Sequence, residues 1–126
     1  MNDYEKTFLE KCIITSKRER LRYELNTPNK RNNFFMRFCH DAKRYIVSKN
    51  ILFYGPLNEL FLKIPAKEPC NYILSTKYFN GTIMNFPDMQ NYILNEYMSA
   101  IVVTESYYII KEEANNKSMA YLIANK

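Results

Sequence analysis

The chain has 126 residues and a formal net charge of +5; 47% of its residues are apolar and 15% aromatic. That content offsets chain entropy and excludes an intrinsically disordered chain, while two glycines and five prolines exclude collagen-like and low-complexity sequence. No run approaches the ~18 apolar residues of a membrane span, and the start, Met1-Asn2-Asp3-Tyr4, lacks the apolar core of a secretion signal.

Tyr4, Phe8 and Cys12 recur every four residues and predict a helix from Asp3 to about Ile14. Ser16 followed by Glu19 has the spacing of a capping box, which predicts a second helix over about 17–26 with Leu21 and Leu25 inward. Thr27-Pro28 reads as a further helix start, Thr as cap and Pro at the first position. From Pro28 to about Ile46, Phe34, Phe35, Phe38, Cys39, Ala42, Tyr45 and Ile46 share one broad arc at helical spacing. Lys30, Arg37 and Arg44, seven apart, line one flank of it.

Ile51–Tyr54 is a short apolar strand ended by the Gly55-Pro56 turn pair. Leu57, Leu60, Phe61 and Ile64 fit a short helix, and residues 65–69 a stiff loop. Asn71–Phe79 and Thr82–Phe86 flank Asn80-Gly81, a strong hairpin signal, because both positions of the turn need positive φ. Pro87-Asp88 opens a helix to about Met98. Ala100–Thr104, Tyr107–Glu113 and Ser118–Ala124 are strand-like runs separated by turns at Glu105-Ser106 and at 114–117, an antiparallel meander. The expected fold is one α+β domain over residues 1–126. Its N-terminal half, of about three helices, packs on a C-terminal antiparallel sheet with one intervening helix.

The familiar chemistries fail on spacing. Cys39-His40-Asp41 has the residue types of a catalytic triad, but adjacent helical residues project about 100° apart and cannot converge. Cys12, Cys39, Cys70 and His40 lack the paired spacing of a structural zinc site. An odd cysteine count with no CxxC predicts reduced thiols of a cytoplasmic protein, each behaving as a small core hydrophobe. Two glycines, Gly55 and Gly81, build neither a phosphate-binding loop nor a dinucleotide fingerprint. Pro87-Asp88 has no acid-x-Lys partner on the later strands and is read as a helix start with its aspartate in the first turn. Glu112-Glu113 reads as a solvated strand-end pair. No catalytic residue, metal or cofactor is expected, and no membrane partner.

The charge is polarised along the chain. Residues 1–50 carry twelve basic and six acidic side chains, and residues 51–126 six and seven. All six arginines lie between positions 18 and 44, although the chain otherwise favours residues of AT-rich codons, which also makes its eleven tyrosines weak evidence for a binding surface. Arg18 and Arg22 lie one helical turn apart, and with Lys30, Arg37 and Arg44 they predict a positive face for an anionic partner: an acidic protein surface or a nucleic-acid backbone. Competing with that reading are internal pairs such as Arg20–Glu24 and Arg37–Asp41, and a structural ion pair for Arg31 at the rim of the apolar arc. A helix-turn-helix reading fits poorly, because the basic residues spread over four turns rather than gathering at the start of a recognition helix. The expected function is a small non-enzymatic binding or regulatory protein. The alternative is a small metal-independent RNase of the toxin type that uses Arg, Lys and the strand tyrosines Tyr107, Tyr108 and Tyr121.

Overall fold

The computed structural model describes residues 2–113 and 118–125; the turn expected at 114–117 lies outside them. Asn2 caps the first helix, α1 (Asp3–Thr7), by accepting from the Glu5 amide. The helix widens into a π-helical turn over Phe8–Cys12. It ends where Ile13 forms an antiparallel bridge with Ile46, flanked by hydrogen bonds from Ile14 N to Tyr45 O and from Val47 N to Cys12 O. Phe8 and Cys12 are buried as their spacing predicts, and Tyr4 stacks on Tyr72 with centroids 4.7 Å apart.

That bridge corrects three expectations. The second helix, α2 (Thr15–Asn26), begins directly after the bridged segment with Ile14 at its cap, so Ser16 lies inside it and the capping box does not form. Thr27 caps no helix; its hydroxyl donates back to Tyr23 O. The long helix from Pro28 to Ile46 is broken. A 3-10 turn over Pro28–Lys30 leads into α3 (Arg31–His40), which stops at Asp41 (φ −141°, ψ 38°); a second 3-10 turn covers Ala42–Arg44. Tyr45 and Ile46 must leave the helix to pair with Ile14 and Ile13, and a continuous helix would forbid that. The apolar arc survives the break: Phe34, Phe35, Phe38, Cys39, Ala42 and Ile46 are all buried. Cys12 and Cys39 are core residues, but Cys70 is exposed rather than buried.

The C-terminal part forms a six-stranded antiparallel sheet in the order β1-β6-β5-β4-β2-β3. Its strands are β1 (Ile51–Pro56), β2 (Asn71–Ser75), β3 (Ile83–Met84), β4 (Ala100–Val103), β5 (Tyr107–Lys111) and β6 (Met119–Ala124). β4, β5 and β6 are the expected meander. β1 runs through Gly55-Pro56 instead of turning there, since Gly55 pairs with Ala120 and Pro56 with Met119. An edge strand tolerates the missing proline N–H, and the bare glycine leaves room for the Phe53 ring, 2.6 Å from where a Cβ would stand. β2 and β3 do form a hairpin, but Asn80-Gly81 is not a two-residue turn. It sits in a longer loop with positive φ at Phe79 and Gly81, where the Asn80 carbonyl oxygen accepts from Ser75 N and from Arg31.

The expected α+β architecture is thus present, and the sheet is covered on both faces. Tyr72, Leu74, Ile101, Val103, Tyr108, Ile110, Tyr121 and Ile123 pack under the N-terminal helices. The alternate residues Ile73, Ala100, Val102, Tyr107, Ile109, Ala120 and Leu122 pack under α4 (Leu57–Lys63) and α5 (Phe86–Asn95). Asn85 caps α5 by accepting from the Asp88 amide, with Pro87 in the first turn, as the proline-start reading expects.

Lys111 is the exception in this second layer. It is fully buried at the end of β5 between Ala100 and Ala120, and its ammonium donates to the Glu96 carbonyl at the C-terminus of α5. A cation there satisfies a terminal carbonyl and complements the helix dipole, while burial holds its pKa below the ordinary lysine range. Lys111→Glu sets a carboxylate against those carbonyls and is expected to cost about 3 kcal/mol or more, whereas Lys111→Met keeps the stem, removes the buried charge and stays within ~1.5 kcal/mol. Urea unfolding of the two variants measures the difference.

Candidate functional site

The basic residues of the helical half divide into those that hold the fold and those that face solvent. Arg18 is half-buried and its Nε donates to Ile13 O at 2.9 Å, closing the start of α2. Arg37 is not paired with Asp41. Its Nη1 lies 2.9 Å from Oε2 of Glu24, a carboxylate only 2% exposed that Arg20 also approaches at 3.9 Å. Asp41 instead takes Arg44 at 3.1 Å, on the surface. Because α3 covers only residues 31–40, Lys30, Arg37 and Arg44 do not form a row on one helix; Arg44 lies beyond the break. Arg22 is exposed and Lys30 half-buried, and neither joins an ion pair among the described residues.

Arg31 takes the structural part its rim position suggests. It donates to Leu25 O at the end of α2, to Ser75 O on β2 and to Asn80 Oδ1, and lies 3.9 Å from Glu5. One guanidinium therefore ties α1, α2 and the β2–β3 loop together, which its planar five-donor fork allows and an ammonium would not.

The outer face of α2 is left for a partner. Glu19, Arg20, Arg22, Tyr23, Asn26 and Thr27 line a shallow open depression there, with Tyr23 55% exposed. Sequence reading singles out Arg22 but not Tyr23. The signal for Tyr23 is its spacing, two residues from both Leu21 and Leu25 and so off their inward face.

The other candidate chemistries disperse. Cys39 is buried and its thiol is pushed up to about 12 by desolvation, while His40 faces out toward Glu113 at 3.3 Å and Asp41 is held by Arg44. Tyr107 and Tyr108 point to opposite faces of the sheet. Tyr107 is fully buried with its hydroxyl unpartnered, and Tyr108 donates to Thr7 O. Burial raises the pKa of both, Tyr107 to about 12. The tyrosines that the RNase alternative requires do not converge with one another. Glu112 and Glu113 lie beyond the end of β5, where alternation no longer applies; Glu112 accepts from Tyr54 at 2.6 Å. Among the described residues no group of three or more His, Cys, Asp or Glu is placed to hold a metal ion, and no helix is long and apolar enough to cross a membrane. Comparison with family models, with curated proteins and with solved structures gives no match.

Two stability measurements test these assignments. Arg37→Met leaves the Glu24 carboxylate buried with one distant cation and is expected to cost about 2 kcal/mol, reduced from the full cost of breaking a buried pair because Arg37 is partly solvated. Arg44→Met stays within ~0.5 kcal/mol, and replacing Glu24 and Arg37 together by methionine restores most of the loss; chemical denaturation of the three variants tests this. In alkali, the buried thiols and phenols keep their protons after those of the unfolded chain ionise near their ordinary pKa values. The unfolded state then binds fewer protons than the folded one, so stability is complete below about pH 8 and falls from about pH 9 upward. Denaturation midpoints across that range, read beside phenolate absorbance, check the sign.

Proposed function

We propose that this chain is a small non-enzymatic binding or regulatory protein whose N-terminal helical layer engages an anionic partner, an acidic protein surface or a nucleic-acid backbone. The observation that carries the reading is the asymmetry of charge across the sheet. The twelve cations and six acids of residues 1–50 belong to the layer on one face, and the near-neutral remainder builds the sheet and the layer on the other. Such an asymmetry orients the molecule in the field of a polyanion and speeds encounter.

Within that layer the contact residues are Arg22 and Arg44, with Lys30 beside them. Arg44 is 78% exposed in a solvated pair with Asp41, which is weak and readily exchanged for a partner's carboxylate or phosphate. Arg18 and Arg37 act through the fold, because their guanidinium groups are committed to Ile13 O and Glu24. Tyr23 beside Arg20 and Arg22 offers a flat apolar surface within the basic depression.

The test titrates the purified chain with a single-stranded RNA oligonucleotide and, separately, with a polyglutamate peptide at low and at raised salt. At least one is expected to bind, to weaken as salt rises, and to lose about tenfold in affinity when Arg22 and Arg44 are both changed to Glu. Failure of both probes at low salt, or unchanged binding by the double variant, overturns the reading.

A further inference from the structure

The opposite side of the molecule carries a groove of different chemistry. It runs between β3 and α5 and has a volume of about 580 Å³. Asp88, Asn91, Tyr92, Asn95 and Glu96 line one wall, at the i, i+3, i+4, i+7, i+8 spacing of a single helix face. Thr82–Met84 form the other wall and Phe79 closes an end. The groove has two carboxylates and no basic residue in its lining, on a chain whose net charge is +5. Neither carboxylate forms a salt bridge among the described residues; Glu96 Oε1 accepts from Met98 N, and the Lys111 ammonium reaches the Glu96 backbone from below.

β3 is an edge strand, paired only with β2. Ile73 bonds toward the hairpin, donating to Thr82 O and accepting from Gly81 N, so the ladder's alternation joins Asn71 to Met84 and turns the N–H and C=O of Ile83 outward. The Ile83 side chain is 52% exposed. Phe79 is also exposed, at 56%, although its backbone sits at φ +58°. That conformation costs a bulky residue roughly 1 kcal/mol or more, and the ring gains little burial in return. It leans edge-on against Tyr92 at 5.3 Å and so stands at the mouth of the groove.

We infer that this groove accepts an extended polypeptide segment of alternating apolar and basic side chains, added as a further strand on β3. A strand residue opposite Ile83 exchanges two backbone hydrogen bonds with it and carries its side chain on the Tyr72 side, beside the exposed Ile83. Its two neighbours carry theirs on the α5 side, toward Asp88 and the two asparagines. Apolar residues therefore suit the first position and lysine or arginine the flanking ones. The whole-chain charge opposes indiscriminate binding of a basic peptide, so attraction is confined to this groove. The site uses none of the residues assigned to the basic layer and stands or falls separately from that reading.

The probe is a fluorescein-labelled octapeptide of alternating valine and lysine, followed by anisotropy and by amide chemical-shift mapping on the labelled full chain. Shifts are expected at Thr82–Met84 and along the Asp88–Glu96 face. Asp88→Lys with Glu96→Lys should weaken binding about tenfold or more, and Arg22→Glu with Arg44→Glu should not weaken it. A peptide of the same sequence with N-methyl groups on alternate residues tests strand addition without altering the protein, and should lose binding in the register that blocks the bonds to Ile83. Equal binding by both N-methyl registers, equal binding by a valine–glutamate peptide, absence of binding, or shifts centred on α2 would each overturn the inference.

Discussion

A sheet that is apolar on both faces governs everything else in this molecule. β2, β4, β5 and most of β6 are buried at every position, so alternate side chains leave the sheet in both directions with no water on either side. Each face then needs its own cover. The N-terminal helices supply one, and α4 and α5, drawn from between the strands, supply the other. Antiparallel sheets often leave one face wet and show it as an apolar–polar alternation; here Tyr107-Tyr108-Ile109-Ile110 has none. The two layers then differ in charge because the chain segments that build them differ in charge, and the molecule acquires two chemically distinct sides.

Three charged groups are taken into this packing, and each is satisfied by a specific neighbour. Glu24 lies between α2 and α3 and is met by Arg37, with Arg20 behind it. Lys111 lies under α5 and is met by the Glu96 carbonyl. Arg31 spreads its donors over α2, β2 and the following loop. An unpaired ion in any of these places would be costly, so each fixes how neighbouring elements sit more firmly than apolar contact alone. The same commitments decide which cations are left for a partner. An arginine that neutralises a buried carboxylate offers little to a ligand, whereas one in a solvated surface pair can exchange its counter-ion.

Features that depend on neighbours in sequence were legible. The meander from Ala100 to Ala124, the proline-started α5 and the inward Leu21 and Leu25 all follow from local periodicity and backbone preference. The apolar arc of Phe34 to Ile46 was legible as a buried surface but not as a helix, since burial depends on where side chains point and both conformations place them inward. The misread turns share one cause. Gly55-Pro56 and Asn80-Gly81 have turn chemistry, but β6 pairs across the first and the Asn80 side chain is engaged by Ser75 and Arg31 in the second. Contacts from far along the chain outweighed the local preference.

By itself, then, the sequence determined the α+β class, the greater part of the core and the concentration of arginine in the first half, because these are properties of composition and of spacing within one element. The tertiary structure alone decided which arginines are free, since Arg37 and Arg44 look alike in sequence and differ only in whether a buried carboxylate comes to meet them. It also created the groove between β3 and α5, whose walls are adjacent in the chain but become a site only when β2 takes one edge of β3 and leaves the other open. Both outcomes are set by pairing between distant segments, and no pattern within a single element encodes that.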